Sequence, residues 1–368
     1  MPADFYIGLM SGTSLDGVDG VLARFAPLTV VAHAHRPFAP ALRAELLALN
    51  GRVDDELARG ARAASALALL YADVVGALLA AGGRKPSDVR AVGAHGQTVR
   101  HCPLAGDSGG YTVQLNNPAL LAERTGIDVV ADFRSRDIAA GGQGAPLVPA
   151  FHRALFARSD ATVVALNLGG IANLSVLESA RTSGWDCGPA NVLSDLWCER
   201  HLGQPFDAAG RWAASGKVVA PLLAALLAEP YFTLAPPKST GRDLFNAAWL
   251  EARLASHAAQ VAPADVQATL AELTARTVAG DVQRHAPRAD ELIVCGGGAC
   301  NTHLLARIAA LLPAQTVVTS DARGLPPTQV EATAFAWLAR QFVLREPGNL
   351  SQVTGASGPR VLGAMYPA

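Results

Sequence analysis

Gly8-Leu9-Met10-Ser11-Gly12-Thr13-Ser14-Leu15-Asp16-Gly17-Val18-Asp19 sets a glycine- and aspartate-rich turn between two apolar runs, Phe5 to Met10 and Val18 to Phe25. Two such runs about a turn predict a β-hairpin, with a longer turn than the tight two-residue type. Thr29 to His33 supplies a third strand. Backbone N–H groups can converge on a phosphate only where side chains do not block the approach. Ser11-Gly12-Thr13-Ser14 meets that need, and such a nest of N–H groups carries partial positive charge. Asp16 and Asp19 follow, and a carboxylate beside a polyphosphate serves Mg²⁺, usually through water, with Asp16 the expected metal residue. An ordinary glycine turn with an Asx cap accounts for the same residues without chemistry. The segment is not a Walker A loop: GxxxxGK[ST] is absent, and a strand follows instead of a helix.

The pattern recurs further along. Ala161 to Leu168 is apolar, Gly169-Gly170-Ile171-Ala172-Asn173 turns, and Leu174 to Leu177 returns. Two glycine-rich hairpins, each opening a mixed strand and helix half, predict two lobes of related topology in an α/β chain. A length of 368 residues agrees, since it exceeds what one core usually organises. The expected division is 1–130, with 350–368 packing back on it, and 131–349. Between the hairpins, Ala39 to Ala81 is helical in spacing and Gly82-Gly83 stops it. Val89 to Ala94 is a strand running into the polar tip His95-Gly96-Gln97-Thr98. A helix near Pro118 to Thr125 precedes a strand at Ile127 to Ala131. Later strands are expected at Glu291 to Cys295 and Gln315 to Thr319, a helix from about Thr328 to Arg345, and a last strand at Arg360 to Leu362.

Composition excludes several classes. With 50% hydrophobic and 17% charged residues the chain has material for two cores and is not disordered. A formal net charge of −1 argues against a nucleic-acid partner, which wants a basic stripe. Five cysteines without a CxxC pair read as reduced thiols in a cytosol, and nine dispersed histidines form no HExxH spacing. Met1 to Phe5 lacks a signal-peptide pattern, and Ala61 to Ala81, interrupted by Arg62 and Asp73, reads as a buried helix. A soluble, cytoplasmic protein with no membrane partner is expected.

Other segments carry candidate chemistry. Val294-Cys295-Gly296-Gly297-Gly298-Ala299-Cys300-Asn301 takes a strand into a helix near Asn301, and its glycines suit either a base or ribose against backbone or a tight strand–helix junction. Asp186, read as lying at a turn just before a helix near Pro189, is either a general base or that helix's cap. Arg134, with Asp132 at a strand end, suits bidentate recognition of a carboxylate or phosphate, or is a solvated surface arginine. His95 and Gln97 either hydrogen-bond a sugar or close a strand end. Lys238 to Asp243 reads as a solvated connector.

Together these segments resemble the anhydro-N-acetylmuramic acid kinase family. The resemblance rests on Gly8 to Asp19, AHGQTVRH (Ala94 to His101) and VVADFRSRDIAAGGQGAPLVP (Val129 to Pro149). It continues through NLGGIANLS (Asn167 to Ser175), KSTGRDLFN (Lys238 to Asn246) and the GGGA cluster, essentially the whole chain in order. It implies two ribonuclease-H-like, actin-like ATPase lobes with mixed sheets flanked by helices and an ATP cleft between them. It implies that 1,6-anhydro-N-acetylmuramate, ATP and water give N-acetylmuramate 6-phosphate and ADP, in bacterial cell-wall recycling by a homodimer. On this resemblance Gly12, Thr13, Ser14, Leu15, Asp16, Gly17, Val18 and Asp19 match the ATP-phosphate loop. Asn167, Gly169, Gly170, Gly296, Gly297 and Gly298 complete the ATP-binding set, and Asp186 matches the general base. His95, Gln97, Arg134 and Glu331 are the substrate-binding candidates, Arg134 reading the lactyl carboxylate. The chain departs from the family pattern at Cys187 and Ala190 after the base, at Cys300 and Thr302 after GGGA, and at Leu115-Asn116. Another small-substrate kinase of the same fold, or a non-catalytic nucleotide-gated actin-like protein, are the alternatives.

Overall fold

The structure, a computed structural model, describes residues 4–12, 14–103, 109–255 and 261–368. The strands in chain order are β1 (Phe5–Met10), β2 (Gly17–Phe25), β3 (Leu28–Pro37), β4 (Val89–Ala94), β5 (Gln97–Cys102), β6 (Tyr111–Leu115) and β7 (Val129–Ala131). They continue with β8 (Val163–Leu168), β9 (Ile171–Leu177), β10 (Thr182–Pro189), β11 (Glu291–Cys295), β12 (Thr316–Thr319) and β13 (Ala364–Tyr366). The first helices are α1 (Pro40–Ala48), α2 (Glu56–Gly82), α3 (Pro118–Thr125), α4 (Ser135–Ala139), α5 (Val148–Phe156) and α6 (Asn191–Leu202). The rest are α7 (Arg211–Ser215), α8 (Ala220–Leu227), α9 (Ala247–Leu254), α10 (Pro263–His285), α11 (Thr302–Leu311), α12 (Val330–Leu344) and α13 (Ser351–Thr354).

The chain divides into two compact units, Met1–Phe151 with Gln329–Ala368, and His152–Thr328. The first holds a sheet in the order β13-β7-β4-β1-β2-β3, the second one in the order β10-β9-β8-β11-β12. In the first, β1, β2 and β3 form an antiparallel meander and β4 and β7 add in parallel on the β1 side. In the second, β8, β9 and β10 form the meander and β11 and β12 add in parallel on the β8 side. Apart from β13, the two sheets share one strand order. The repeat of two glycine-turn hairpins is therefore a repeat of whole topology.

Burial follows the period-two alternation of side chains on a strand. In the first unit Ile7 and Leu9 of β1 pack with Leu67, Tyr71, Val74 and Leu78 of α2. Tyr6 of β1 joins Phe335 and Leu338 of α12 in a second core on the other face. One face of α2, a helix long and apolar enough by composition to cross a membrane, is thus part of a protein core. In the second unit Val164, Leu166 and Leu168 meet α10 and α11, while Val163 and Ala165 meet Phe156 of α5.

The first unit reaches past residue 130 to Phe151 and takes in 329–368, more than the terminal segment 350–368 expected. Backbone contact explains the difference. A Cβ on Gly8 would overlap the carbonyl of Ala332, and one on Gly93 the carbonyl of Phe335. Only glycine at these two strand positions lets α12 lie this close, so α12 belongs to the first unit although it follows the second in sequence. The final strand also falls later than expected. Leu362 is buried in the core, Gly363 turns the chain at φ 104°, and Ala364–Tyr366 then pairs antiparallel with β7. The polar tip at His95–Thr98 leads directly into β5, which pairs with β6 as a separate two-stranded sheet. The β5 sequence does not alternate, and β6 alternates over only the five residues Tyr111–Leu115.

Gly93→Val should displace α12 and destabilise the protein by about 3 kcal/mol, read as a lower denaturation midpoint. A midpoint within 1 °C of the unsubstituted protein would remove the close-approach explanation.

Candidate active site

The turn after β1 is pinned at its base. Ser11 Oγ lies 3.0 Å from Tyr71 Oη and donates to the Gly96 carbonyl at 3.1 Å. Gln97 Nε2 donates to the Gly12 carbonyl at 3.2 Å, and the Leu15 N–H to the same carbonyl at 3.2 Å. Leu15 adopts a left-handed conformation, φ 56°, that a leucine rarely takes. Burial of its side chain in the α2-side core and an Arg43 Nε hydrogen bond to its carbonyl hold it there. Leu15 and Val18 thus serve as core side chains, and what they can offer a ligand is backbone. Asp16 is exposed and accepts from Ser14 Oγ at 2.6 Å and from the Gly17 N–H at 3.1 Å. Asp19 lies between two imidazoles, His33 at 3.4 Å and His35 at 3.1 Å. Thr13 lies outside the described residues.

At the end of β7, Asp132 takes a left-handed φ of 57° and its carboxylate accepts from the Ser135 hydroxyl. That turn aims Arg134 back at His95. Arg134 Nε and Nη2 reach His95 Nε2 at 3.2 and 2.9 Å, and Nη1 donates to the Gly144 carbonyl at 2.8 Å. Because the guanidinium only donates, His95 Nε2 must hold a lone pair, and the imidazole is neutral with its proton on Nδ1. Burial, then the adjacent Arg134 charge, push the His95 pKa down to about 3. Arg134 is itself lowered to about 10 by burial, opposed by the charges of Glu331 and Asp137, and stays cationic at neutral pH. Among the described residues neither His95 Nδ1 nor Gln97 Oε1, both buried, has a hydrogen-bond partner. Asp137, fully buried, holds the 141–144 loop beneath this group. It accepts from the Gly144 N–H at 2.8 Å, Asn349 Nδ2 at 2.6 Å and Thr354 Oγ1 at 2.7 Å.

In the second unit the β8–β9 turn, the start of α6 and the turn after β11 meet. The Gly169 carbonyl accepts from Asn191 N–H at 3.0 Å, and the Gly170 carbonyl from Ala190 and Val192 N–H at 3.0 and 3.1 Å. Gly296, φ 80°, leaves no room for a Cβ against Asn167 Oδ1 and the Leu168 carbonyl, and one on Gly298 would meet Leu168 Cβ at 2.6 Å. Those two glycines are demanded by packing. Gly297 is not, since nothing lies within 4 Å of its Cβ position. Nor are Gly12 and Gly169, where the nearest atoms are 3.6 and 3.7 Å away. Ala190 is accommodated, with φ −102° and its methyl in the core. Asn301 caps α11 by accepting from the Leu304 N–H at 2.9 Å.

Asp186 does not lie at a turn. It sits in β10, opposite Asn173 of β9, where a bulge places Cys187 as the extra residue before Gly188 resumes pairing with Ala172. It is no helix cap either: α6 starts at Asn191 with Ala190 at its N-cap. The Asp186 carboxylate accepts from the Thr240 N–H at 3.0 Å, its N–H donates to the Lys238 carbonyl at 3.1 Å, and its carbonyl accepts from Tyr231 Oη at 2.8 Å. Burial raises its pKa to about 6 against the lowering effects of the Thr240 N–H and the Lys238 charge. The loop expected to be a solvated connector is therefore part of the site, and Lys238 is buried in a 3.1 Å ion pair with Asp281.

Each unit brings its own candidates together. Gly12, His95, Gln97 and Arg134 are linked in the first, with the charge of Glu331 felt at Arg134; Asn167, Gly169, Gly170, Gly296 and Gly298 cluster in the second, with Asp186 on the same sheet. Sequence reasoning passed over Asp137 and read Lys238 as part of a solvated connector, although both lie in the matched segments. Tyr71, a lone tyrosine in a long alanine-rich helix, gave no signal. An open groove of about 880 Å³ between α1 and α2 has no comparable chemistry, since its Glu45 and Arg59 pair with one another at 2.7 Å.

Two halves of one topology, each with a glycine turn uncrowded at the Cβ position, and a buried carboxylate with its pKa raised to about 6 fit an enzyme of the sugar-kinase class. Residues 4–368 match the family model for anhydro-N-acetylmuramic acid kinase. Proteins of that name from Variovorax paradoxus and Albidiferax ferrireducens are 62% and 58% identical, each over the whole of both chains. One from Cupriavidus pinatubonensis is 58% identical over 99% of this chain and 98% of its own. The chain belongs to the anhydro-N-acetylmuramic acid kinase family.

Asp137→Ala strands three buried donors and should cost about 3 kcal/mol of stability. Asp137→Asn, which keeps one acceptor, should cost less, and equal midpoints for the two in a chemical melt would show that the carboxylate is not what holds the loop.

Proposed function

We propose that this chain opens 1,6-anhydro-N-acetylmuramate with water and phosphorylates its O6 with ATP, giving N-acetylmuramate 6-phosphate and ADP. One observation carries the reading: a buried aspartate beside a strand bulge, held by its N–H, its carbonyl and its carboxylate, with its pKa raised to about 6. A carboxyl so tuned is mostly ionised at neutral pH, yet basic enough to take a proton from water. Asp186 accepts that proton as the water oxygen bonds to the anomeric carbon. The bond from that carbon to O6 breaks, and O6 takes the γ-phosphoryl group while ADP leaves. Arg134, kept cationic and oriented by neutral His95, offers a guanidinium for the lactyl carboxylate, with Glu331 as its neighbouring charge.

For ATP, the Gly12 turn in one unit and the Gly169 and Gly297 turns in the other present backbone where side-chain bulk is absent for no internal reason. Phosphate and nucleotide approach supplies that reason. Mg²⁺ would neutralise charge on the transferring phosphates. Asp16, exposed beside the turn, fits a metal held partly through water. Among the described residues no group of three or more His, Cys, Asp or Glu side chains could hold a metal alone, which leaves the other ligands to water and phosphate. Consumption of anhydro sugars released from cell wall, in the cytoplasm and by a homodimer, belongs to the same proposal.

Asp186→Asn should lower kcat by about 10³-fold with ATP still bound. The protonated base is inactive, so unsubstituted kcat should fall as pH drops through about 6. ADP release should depend on the anhydro sugar, and release that ignores the sugar would favour a nucleotide-gated protein instead. Alanine at Gly12, Gly169 or Gly297 should change stability by less than about 0.5 kcal/mol while weakening ATP binding about tenfold or more. Calorimetric ATP affinity unchanged in all three would remove these turns from the ATP site.

A further inference from the structure

We propose that Lys238 is a positioning residue for Asp186, its buried ammonium clamping the 238–240 loop against the carboxylate and holding that carboxylate in the field of a fixed positive charge. The inference rests on the reading of Asp186 as the base.

Four observations converge on it. The Lys238 and Asp281 side chains are 2% and 1% exposed and 3.1 Å apart, inside the second unit. Desolvating an ammonium is costly, and a structural pair of this kind is often replaceable by apolar residues without loss. Asp281 does not need Lys238 for its own satisfaction: Arg284 Nη2 reaches it at 2.6 Å and Trp185 Nε1 at 2.9 Å. The loop that Lys238 anchors makes both remaining hydrogen bonds of residue 186, taking its N–H on the Lys238 carbonyl and giving the Thr240 N–H to its carboxylate. Finally, Tyr231, whose hydroxyl donates to the Asp186 carbonyl, places its ring 5.1 Å from Lys238 Nζ, so the cation also braces the third contact.

The charge acts on the base as well. The groups facing this pocket are Cys187 of β10, Tyr231, Lys238 of the loop, and Asp281, Arg284 and His285 of α10. Burial and the nearby carboxylates hold the Cys187 thiol and the Tyr231 phenol protonated, with pKa values above their ordinary ones. Of these groups Lys238 is the cation whose charge lowers the pKa of Asp186, against the burial that raises it. Without it the carboxyl titrates at higher pH, and less base is present at neutrality.

Lys238→Met keeps the four-atom stem without the ammonium and leaves Asp281 paired with Arg284 and Trp185. With ATP and 1,6-anhydro-N-acetylmuramate, this variant should lose tenfold or more in kcat at pH 7 while KM for ATP stays within twofold. The acidic limb of its kcat profile should move up, so the defect shrinks at pH 9. Lys238→Arg should keep the limb of the unsubstituted enzyme. A deficit equal at every pH, or no deficit, overturns the proposal. Should Lys238→Met not fold, Lys238→Gln is read by the same profile. The second arm needs no turnover: carboxyl ¹³C titration, with the Asp186 signal identified by its loss in Asp186→Asn. An upward shift in Lys238→Met supports the role even if the anhydro sugar proves not to be the substrate, and an unmoved titration rejects it even if the sugar is turned over.

Discussion

Much of the first unit depends on how closely α12 lies on its sheet. Gly8 and Gly93 sit side by side on β1 and β4, and both carry backbone of α12 where any side chain would stand. This contact completes the second core, around Tyr6, Ala91, Phe133 and Phe335. It also sets position. Ala332 rests on Gly8, so Glu331 enters the helix one residue earlier, where its charge reaches Arg134. A packing constraint between two glycines and a helix backbone therefore places a polar group of the candidate substrate site.

The polar groups in both units are arranged so that few of them are free to adapt. His95 is kept neutral by burial and by the guanidinium it accepts from, and Arg134 is fixed through its other nitrogen to Gly144. The 141–144 loop in turn hangs on the Asp137 carboxylate, which has no exposure. In the second unit Asp186 is held by its own N–H, carbonyl and carboxylate at once. Such prior ordering lets a site meet charge without reorganising at the moment of reaction. The two units reach it differently, one through an Arg–His pair on a carboxylate-tied loop, the other through a bulged edge strand over a buried ion pair.

Chain order and local pattern carried the fold a long way. Both hairpins, α3, β4, β8 and β11 are legible from apolar runs and their glycine stops, because those signals act within a few residues. The second sheet's β10 was not legible: Gly184, Asp186, Gly188 and Pro189 are residue types that strands disfavour, and only pairing with β9 makes it one. Lys238 was misread for a similar reason. A lysine in a polar loop is normally solvated, and its burial depends on an aspartate 43 residues away on α10.

The sequence by itself determined the two-fold repeat and the glycine turns, and it marked Asp186, Arg134 and His95 as candidates, since these rest on residue type and neighbouring residues. Tertiary structure alone decided that Asp186 is a strand residue with a raised pKa and not a helix cap. It decided that Gly296 and Gly298 serve packing while nothing crowds the Cβ positions of Gly12, Gly169 and Gly297. It also assigned α12 to the unit that precedes it. Each of these turns on burial or backbone contact between segments distant in the chain, and no spacing of residues within a segment encodes that.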